Sequence, residues 1–188
     1  MDGKIRCWGG PPIFVEYHDN EWGRPVHDDR KLFEMLTLES MQAGLSWITV
    51  LNKREAFKKA FDDFDPRKVA LYGGDKIEEL MSDAKIIRNR LKINAAVNNA
   101  ALFLEVEKKY GSFDKFIWNY VDNKPVTRHP DDKGWVSTTA VSDKISKDLK
   151  KMGFKFVGST TIYSFMQATG MVNDHIPECF VYNELVNK

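Results

Sequence analysis

Two cysteines are present in 188 residues, and each has a histidine close by: Cys7 and His18 in "CWGGPPIFVEYHDNEWG", His175 and Cys179 in "MVNDHIPECF". Two thiolates and two imidazoles are the donor set that a closed tetrahedral zinc site takes, with Zn–S near ~2.3 Å and Zn–N near ~2.0 Å. Neither the C-x10-H nor the H-x3-C pair has zinc-finger spacing. On spacing alone, two buried thiols and two surface histidines are the alternative. His27 and His129 belong to neither pair and read as surface residues. In a reducing cytosol such cysteines are free thiols or ligands more often than a disulfide.

A carboxylate is the second candidate. Glu39 shares helical spacing with Leu32, Met35, Leu36 and Ala43, which puts its charge on the buried side of an apolar helix, where desolvation is costly unless something compensates. Arg88 or Arg90 as a structural ion-pair partner, or a nearby backbone to cap, would compensate; so would a function. The third candidate is "LKKMGFKFVGSTTIYSFMQATG", where Gly153 and Gly158 bracket a short hairpin between two amphipathic helices. Glycines allow positive φ and close approach of another backbone. A helix starting at Ser159 or Thr160 presents unpaired N–H groups to an anion such as phosphate, and Lys155 adds charge. A plain helical corner with glycine caps is the alternative reading.

The elements that must position these residues are helical. From Asp29 as N-cap, "RKLFEMLTLESMQAG" closes at Gly44. A helix from Ser46 carries Trp47, Val50, Leu51, Phe57 and Phe61 on one stripe, with Lys53, Lys58 and Lys59 toward solvent. "DPRKVALYG" and "DKIEELMSD" suit short helices, "KIIRNRLKINAAVNNAALFLEVEKKYG" a long one, and "SFDKFIWNYV" one capped by Ser112. Residues 123 to 139 read as a loop, because Pro125, Pro130 and Gly134 interrupt any period. "SDKISKDLKKMG" resumes helix with Ile145, Leu149 and Met152 inward, and Ile162, Phe165 and Met166 form the buried face of the next. Strand signals are nearly absent, so the fold class is all-α. The chain reads as one domain over 1–188, with the 123–139 loop either a junction between two helical lobes or a surface excursion.

Length and charge narrow the function classes. A chain of this size buries roughly two-thirds of its unfolded surface and needs neither metal nor disulfide to fold. With 28 Lys and Arg against 27 Asp and Glu, a nucleic-acid surface has to come from local clustering. No stretch approaches the ~20 apolar residues of a membrane span, and "MDGKIRCWGG" lacks the apolar core of a signal peptide. The expected setting is the cytoplasm, with no membrane partner.

In order along the chain, "YHDNEWG", "LTLESMQAGLSWITVL", "GFKFVG" and "NDHIPEC" closely resemble the 3-methyladenine DNA glycosylase I family. The resemblance implies an all-helical member of the helix-hairpin-helix glycosylase superfamily that excises 3-methyladenine from alkylated double-stranded DNA, acting as a monomer. It implies a structural Zn2+ held by Cys7, His18, His175 and Cys179, so that residues 1–20 and 170–188 form one metal-binding region. It maps Glu39 onto the carboxylate that contacts the flipped base, and Phe14, Tyr17, Trp22 and Trp47 onto the base pocket. Gly44 and Leu45 match the segment that approaches the gap left by the extruded nucleotide. Gly153, Lys155, Gly158 and Ser159 match the DNA-gripping hairpin.

Two departures from the family pattern stand out. The tryptophan expected two positions after the first cysteine is here Trp8, directly after it, which leaves Trp8 without an expected pocket role; the tyrosine of the pocket's upper wall is Phe14. Asp174, although it follows the hairpin, lies beside the expected ligand His175 and is given no catalytic role. A zinc hydrolase would need three protein ligands and an open water position, and a non-catalytic zinc-stabilised DNA-binding module would have no need for Glu39 among aromatics.

Overall fold

The computed structural model describes residues 3–128 and 134–186. Among these the chain forms eleven α-helices, α1 (Pro12–Asn20), α2 (Asp29–Gln42), α3 (Trp47–Leu51), α4 (Arg54–Ala60), α5 (Pro66–Val69), α6 (Gly74–Ser82), α7 (Arg90–Tyr110), α8 (Phe113–Trp118), α9 (Ala140–Met152), α10 (Ser159–Ala168) and α11 (Phe180–Val186). The one departure from all-α is a two-residue parallel ladder, β1 (Val126–Thr127) with β2 (Val172–Asn173), pairing Val126 with Val172 and Thr127 with Asn173. It fastens the first half of the expected 123–139 loop to the segment that leads into His175. His129 lies outside the described residues.

Helix α2 is the centre of the molecule. Its residues from Leu32 to Met41 are buried with the exception of Glu34, because α3, α7, α8 and α10 pack around it. A one-sided apolar stripe was the expectation; an all-round buried helix is what this many neighbours require, and it takes Thr37, Glu39 and Ser40 inside with the apolar residues. Ala43, expected on the buried face, is exposed. The N-cap is Asp28, whose side chain accepts from the Lys31 N–H at 2.8 Å, one residue before the expected Asp29. Asp29 instead accepts the Phe113 and Asp114 N–H groups at 2.9 and 2.7 Å and so holds the start of α8 against α2. The expected helix from Ser46 breaks at Asn52–Lys53 into α3 and α4, yet keeps its stripe: Val50, Leu51, Phe57 and Phe61 are all buried.

A second, smaller apolar cluster of Tyr17, Trp22 and Leu51 lies beside the main core, with Cys7, Trp8, Phe14 and Trp47 against it; Trp47 packs on both. The ends of the chain close over this cluster, the Phe180 N–H donating to the Ile5 carbonyl at 3.0 Å.

Candidate metal centre and base cavity

Phe14, Tyr17 and His18 fall at i, i+3 and i+4 on α1, so one helix face carries two aromatics and an imidazole side by side. His18 Nε2 turns toward Cys179 Sγ at 3.6 Å, while His175 Nδ1 lies 3.3 Å from Cys7 Sγ and 3.4 Å from Cys179 Sγ. One donor atom from each of the four residues lies within 4.8 Å of the other three. A tetrahedron with the bond lengths of zinc has edges of ~3.3–3.8 Å, so the arrangement fits such an ion. Both cysteines are free thiols.

The far side of each imidazole is committed elsewhere. His18 Nδ1–H donates to Asp19 Oδ1 at 2.8 Å, and Arg6 clamps the same carboxylate. His175 Nε2–H donates to the Trp22 carbonyl at 3.0 Å. These bonds fix the tautomers so that Nδ1 of His175 turns its lone pair to both thiols, while Nε2 of His18 faces Cys179 Sγ and accepts the Cys7 N–H at 3.3 Å, the orientation that outer partners of metal-ligating histidines impose. Desolvation pushes the His175 pKa down to about 4 and lowers that of His18, so both rings are neutral at pH 7. The same desolvation pushes the Cys7 thiol up to about 12, so only a nearby cation would make it a thiolate at neutral pH. Gly23 is needed here: at φ +76° it passes so close to His175 that a Cβ would lie 2.7 Å from Nε2.

Back to back with this cluster is a cavity of about 280 Å³. The two sites share walls. Trp22 meets the His175 ring edge-on at 4.5 Å, and Trp8 meets the His18 ring edge-on at 4.7 Å. All five expected pocket residues, Phe14, Tyr17, Trp22, Glu39 and Trp47, line the cavity. Trp8, for which no pocket role is expected, lines it too, in the segment between Cys7 and α1. Trp135, Gln42, Ser164 and Gln167 complete the lining. Gln42 stands three residues after Glu39 on the same helix face, and Ser164 and Gln167 make the same i, i+3 step on α10, spacings that were readable as a polar stripe. Trp135 comes from the loop without a period, where no spacing signal exists.

Glu39 is 4% exposed, and its Oε2 has no hydrogen-bond partner. The expected alternative of a structural ion pair does not hold: Arg90 pairs with Glu78 at the surface and Arg88 is exposed. Burial alone pushes Glu39 up to about 8. Burial, followed by the proximity of Glu39, also raises the Tyr17 phenol well above its ordinary value, so it stays protonated. The indole N–H groups of Trp8 and Trp47 are likewise buried without partners. A folded chain rarely leaves such groups unpaired, and three of them around one cavity mark a place for a ligand that supplies the missing bonds. Asp174 stands apart from this. Its Oδ2 accepts from Tyr163 Oη and Gln167 Nε2 at 2.6 and 2.7 Å, and its Oδ1 lies 3.2 Å from Arg128 Nη1 without hydrogen-bond geometry.

The expected hairpin lies between α9 and α10. Gly153 ends α9 at φ +99°. Gly158 does not need a glycine conformation, since it sits at φ −61° with open space around it; Phe156 takes the positive φ of the turn instead, at +54°. Gly158 lends α10 no side-chain cap, and Ser159 Oγ is engaged with Ser142 Oγ at 2.8 Å, which leaves the backbone N–H groups of the first turn to face outward. Lys155 is exposed beside them. Gly44 and the half-exposed Leu45 form the turn after α2. No helix among the described residues is long and apolar enough to cross a membrane.

The sequence model of the methyladenine glycosylase family matches residues 8–182. DNA-3-methyladenine glycosylase 1 of Escherichia coli (strain K12) is 51% identical over 172 residues, covering 91% of this chain and 92% of its own. A crystal structure of 3-methyladenine DNA glycosylase I superposes with a TM-score of 0.90 at 49% identity, covering 94% of this chain and 98% of that one. A Tyr-to-Phe variant of a 3-methyladenine DNA glycosylase I, crystallised in complex with 3-methyladenine, superposes with a TM-score of 0.88 at 41% identity, covering 92% and 93%.

Proposed function

Because the chain belongs to the methyladenine glycosylase family, we propose that it is a base-excision repair glycosylase that hydrolyses the N-glycosidic bond of 3-methyladenine in alkylated double-stranded DNA and leaves an abasic site. The observation that carries this is the unpartnered Glu39 oxygen inside an aromatic cavity. Methylation at N3 gives the purine a positive charge and weakens its glycosidic bond, so the chain need not protonate a reluctant leaving group. Its task is to take the base out of the duplex and to hold the cation in preference to a neutral base.

The five lining residues expected from the family pattern then have roles. Phe14, Tyr17, Trp22 and Trp47 give the flipped base faces to stack on, and such faces attract a cation by about 0.5–2 kcal/mol. Glu39 acts as the catalytic carboxylate that touches the base. With the cavity empty it is the neutral acid at pH 7, and a cation beside it favours the charged form. Ionised Glu39 makes a charge-assisted hydrogen bond to the exocyclic amine, about twice as strong as a neutral one. Gly44 and Leu45 approach the gap in the duplex. Of the hairpin residues, Gly158 and Ser159 offer backbone N–H groups and Lys155 its charge to a phosphate, while Gly153 turns the chain between the two helices; such a contact positions the chain without reading sequence.

Cys7, His18, His175 and Cys179 hold a structural Zn2+. A bound ion would supply the charge that keeps Cys7 a thiolate, and its ligands would tie the segment from Cys7 to His18 to the segment from His175 to Cys179. The same reading has the protein working as a monomer in the cytoplasm. A non-catalytic zinc-stabilised DNA-binding module is disfavoured, since it would gain nothing from an unpaired buried carboxylate. Incubating the purified protein with methylated DNA and separating the released bases by chromatography tests the proposal. Release of 3-methyladenine is expected, and DNA binding with no base release would leave the binding-module reading.

A further inference from the structure

Helix α7 lines neither the cavity nor the metal cluster, yet it reaches both elements that face DNA in the reading above, through two buried polar side chains. Lys92 and Asn99 are seven residues apart, two turns on one helix face, and are 6% and 3% exposed. Lys92 Nζ donates to the carbonyls of Met41 and Ala43 at 2.8 and 2.5 Å. Those carbonyls belong to the end of α2 and to the turn after it. Ala43 at φ −45°, ψ 115° and Gly44 at φ +80°, closed by the Leu45 N–H on the Gln42 carbonyl at 2.6 Å, make a type II turn. Types I and II differ by a flip of the central peptide, so the direction of the Ala43 carbonyl decides between them. Lys92 holds that carbonyl, and with it the conformation of the turn that carries Leu45.

Asn99 does the equivalent for the hairpin. Its Oδ1 accepts the Lys155 N–H at 2.8 Å and its Nδ2 donates to the Lys155 carbonyl at 2.9 Å, pairing with that backbone as a neighbouring strand would. Asn98 Nδ2 adds a bond to the Gly153 carbonyl at 3.0 Å. A buried ammonium is a costly way to finish a helix that is already packed on all sides. The last carbonyls of α2 have no intrahelical partner, so the helix end is where an ammonium finds acceptors, and here the same ammonium also holds the turn beyond it.

We propose that Lys92 and Asn99 are positioning residues that set the separation between the Gly44–Leu45 turn and the 153–158 hairpin, so that both engage one duplex around the flipped nucleotide. The base cavity is formed without them. The inference rests on the glycosylase reading, and one set of measurements separates the two. Parent protein, Lys92→Met and Asn99→Ser are each titrated with free 3-methyladenine, followed by tryptophan fluorescence, and with a duplex carrying an abasic-site analogue at fixed salt. Excision from methylated DNA and thermal melts are recorded alongside.

Both variants are expected to bind the free base within about twofold of the parent. Their duplex affinity and kcat/KM on DNA should fall about 10- to 100-fold, the scale of a displaced but intact site. Lys92→Arg, still able to reach one carbonyl, should recover part of the loss. Duplex affinity and excision unchanged in both variants would overturn the inference while leaving the parent an active glycosylase. A parallel loss of free-base and duplex binding, or loss of the cooperative melt, would also overturn it by making the pair part of the common core. A parent that neither binds nor releases 3-methyladenine would sink the glycosylase reading itself, and the inference with it.

Discussion

The metal cluster and the base cavity are neighbours built on opposite principles. In the cluster both imidazoles spend their outer nitrogens on the Asp19 carboxylate and the Trp22 carbonyl, and their inner nitrogens converge on two thiols within 4.8 Å. Around the cavity, Glu39 Oε2 and the indole N–H groups of Trp8 and Trp47 are buried without a hydrogen-bond partner. Both arrangements are unfavourable for an empty protein, since each buries groups that want a cation: a thiol pushed up to about 12 in one, a carboxyl pushed up to about 8 in the other. The difference lies in access. The four donor atoms of the cluster face one another as a resident ion would require, whereas the cavity holds about 280 Å³ of space among aromatic side chains. Unpaired buried groups thus point to ligands of different residence time, and Trp22, which belongs to both sites, joins them.

If the cluster is a structural metal centre, breaking it should have the largest effect. The parent is expected to carry about one zinc per chain, and Cys179→Ser to lose it along with more than ~10 °C of melting temperature, because the ligands converge only in the folded state. Metal analysis and a melt check this; metal-free parent protein with an unchanged melt would contradict it. Gly23→Ala probes the shared wall. Its Cβ would meet His175 at 2.7 Å in a backbone conformation that disfavours any side chain, so zinc affinity should fall about 10- to 100-fold. Base affinity should drop with it as the Trp22 segment shifts. Loss of one without the other would show the two sites to be independent.

A subtler effect separates the carboxyl from the thiols. Unfolded, Glu39 titrates near its ordinary 4.5, and folded, near 8, so between those values the folded chain holds the extra proton. The stability this group contributes is complete below the lower value and is lost as pH rises through the upper one. Glu39→Gln removes the titration. The variant should melt with the parent near pH 4 and above it at pH 9, by about a few kcal/mol at most. A variant less stable than the parent at pH 9 would mean that Glu39 has a charged partner when folded. The smallest effect belongs to Lys155→Ala, expected to lower the salt slope of duplex binding by roughly one counterion with no change in free-base affinity. An unaltered slope would make the hairpin a structural corner.

What the residues announced and what they hid divide along physical lines. Glu39 on a buried face was readable because helical spacing and apolar neighbours constrain it. The four candidate metal ligands are legible only through the family resemblance, since donors separated by most of the chain carry no local spacing signal. Helix ends slipped: Asp28 and Asp29 are equally good caps, and only the position of α8, which claims Asp29, decides between them. The 126–127 and 172–173 pairing was hidden because two residues are too few for alternation to show. Trp8 stands one position from where the family pattern puts a tryptophan, so the pattern gives it no role. Its place on the cavity wall comes from the path between Cys7 and α1, which no motif encodes.

The central claim is that Glu39 is unpaired because it awaits a cationic base. Release of 3-methyladenine from methylated DNA by the parent and by Glu39→Gln, with melts at pH 7 on the same samples, tests it most directly. The account predicts release slowed by about 100-fold or more in the variant, the scale of a lost transition-state contact, with zinc content unchanged and a melting temperature no lower than the parent's. Near-parent release, or a loss that tracks a lowered melting temperature, would contradict it.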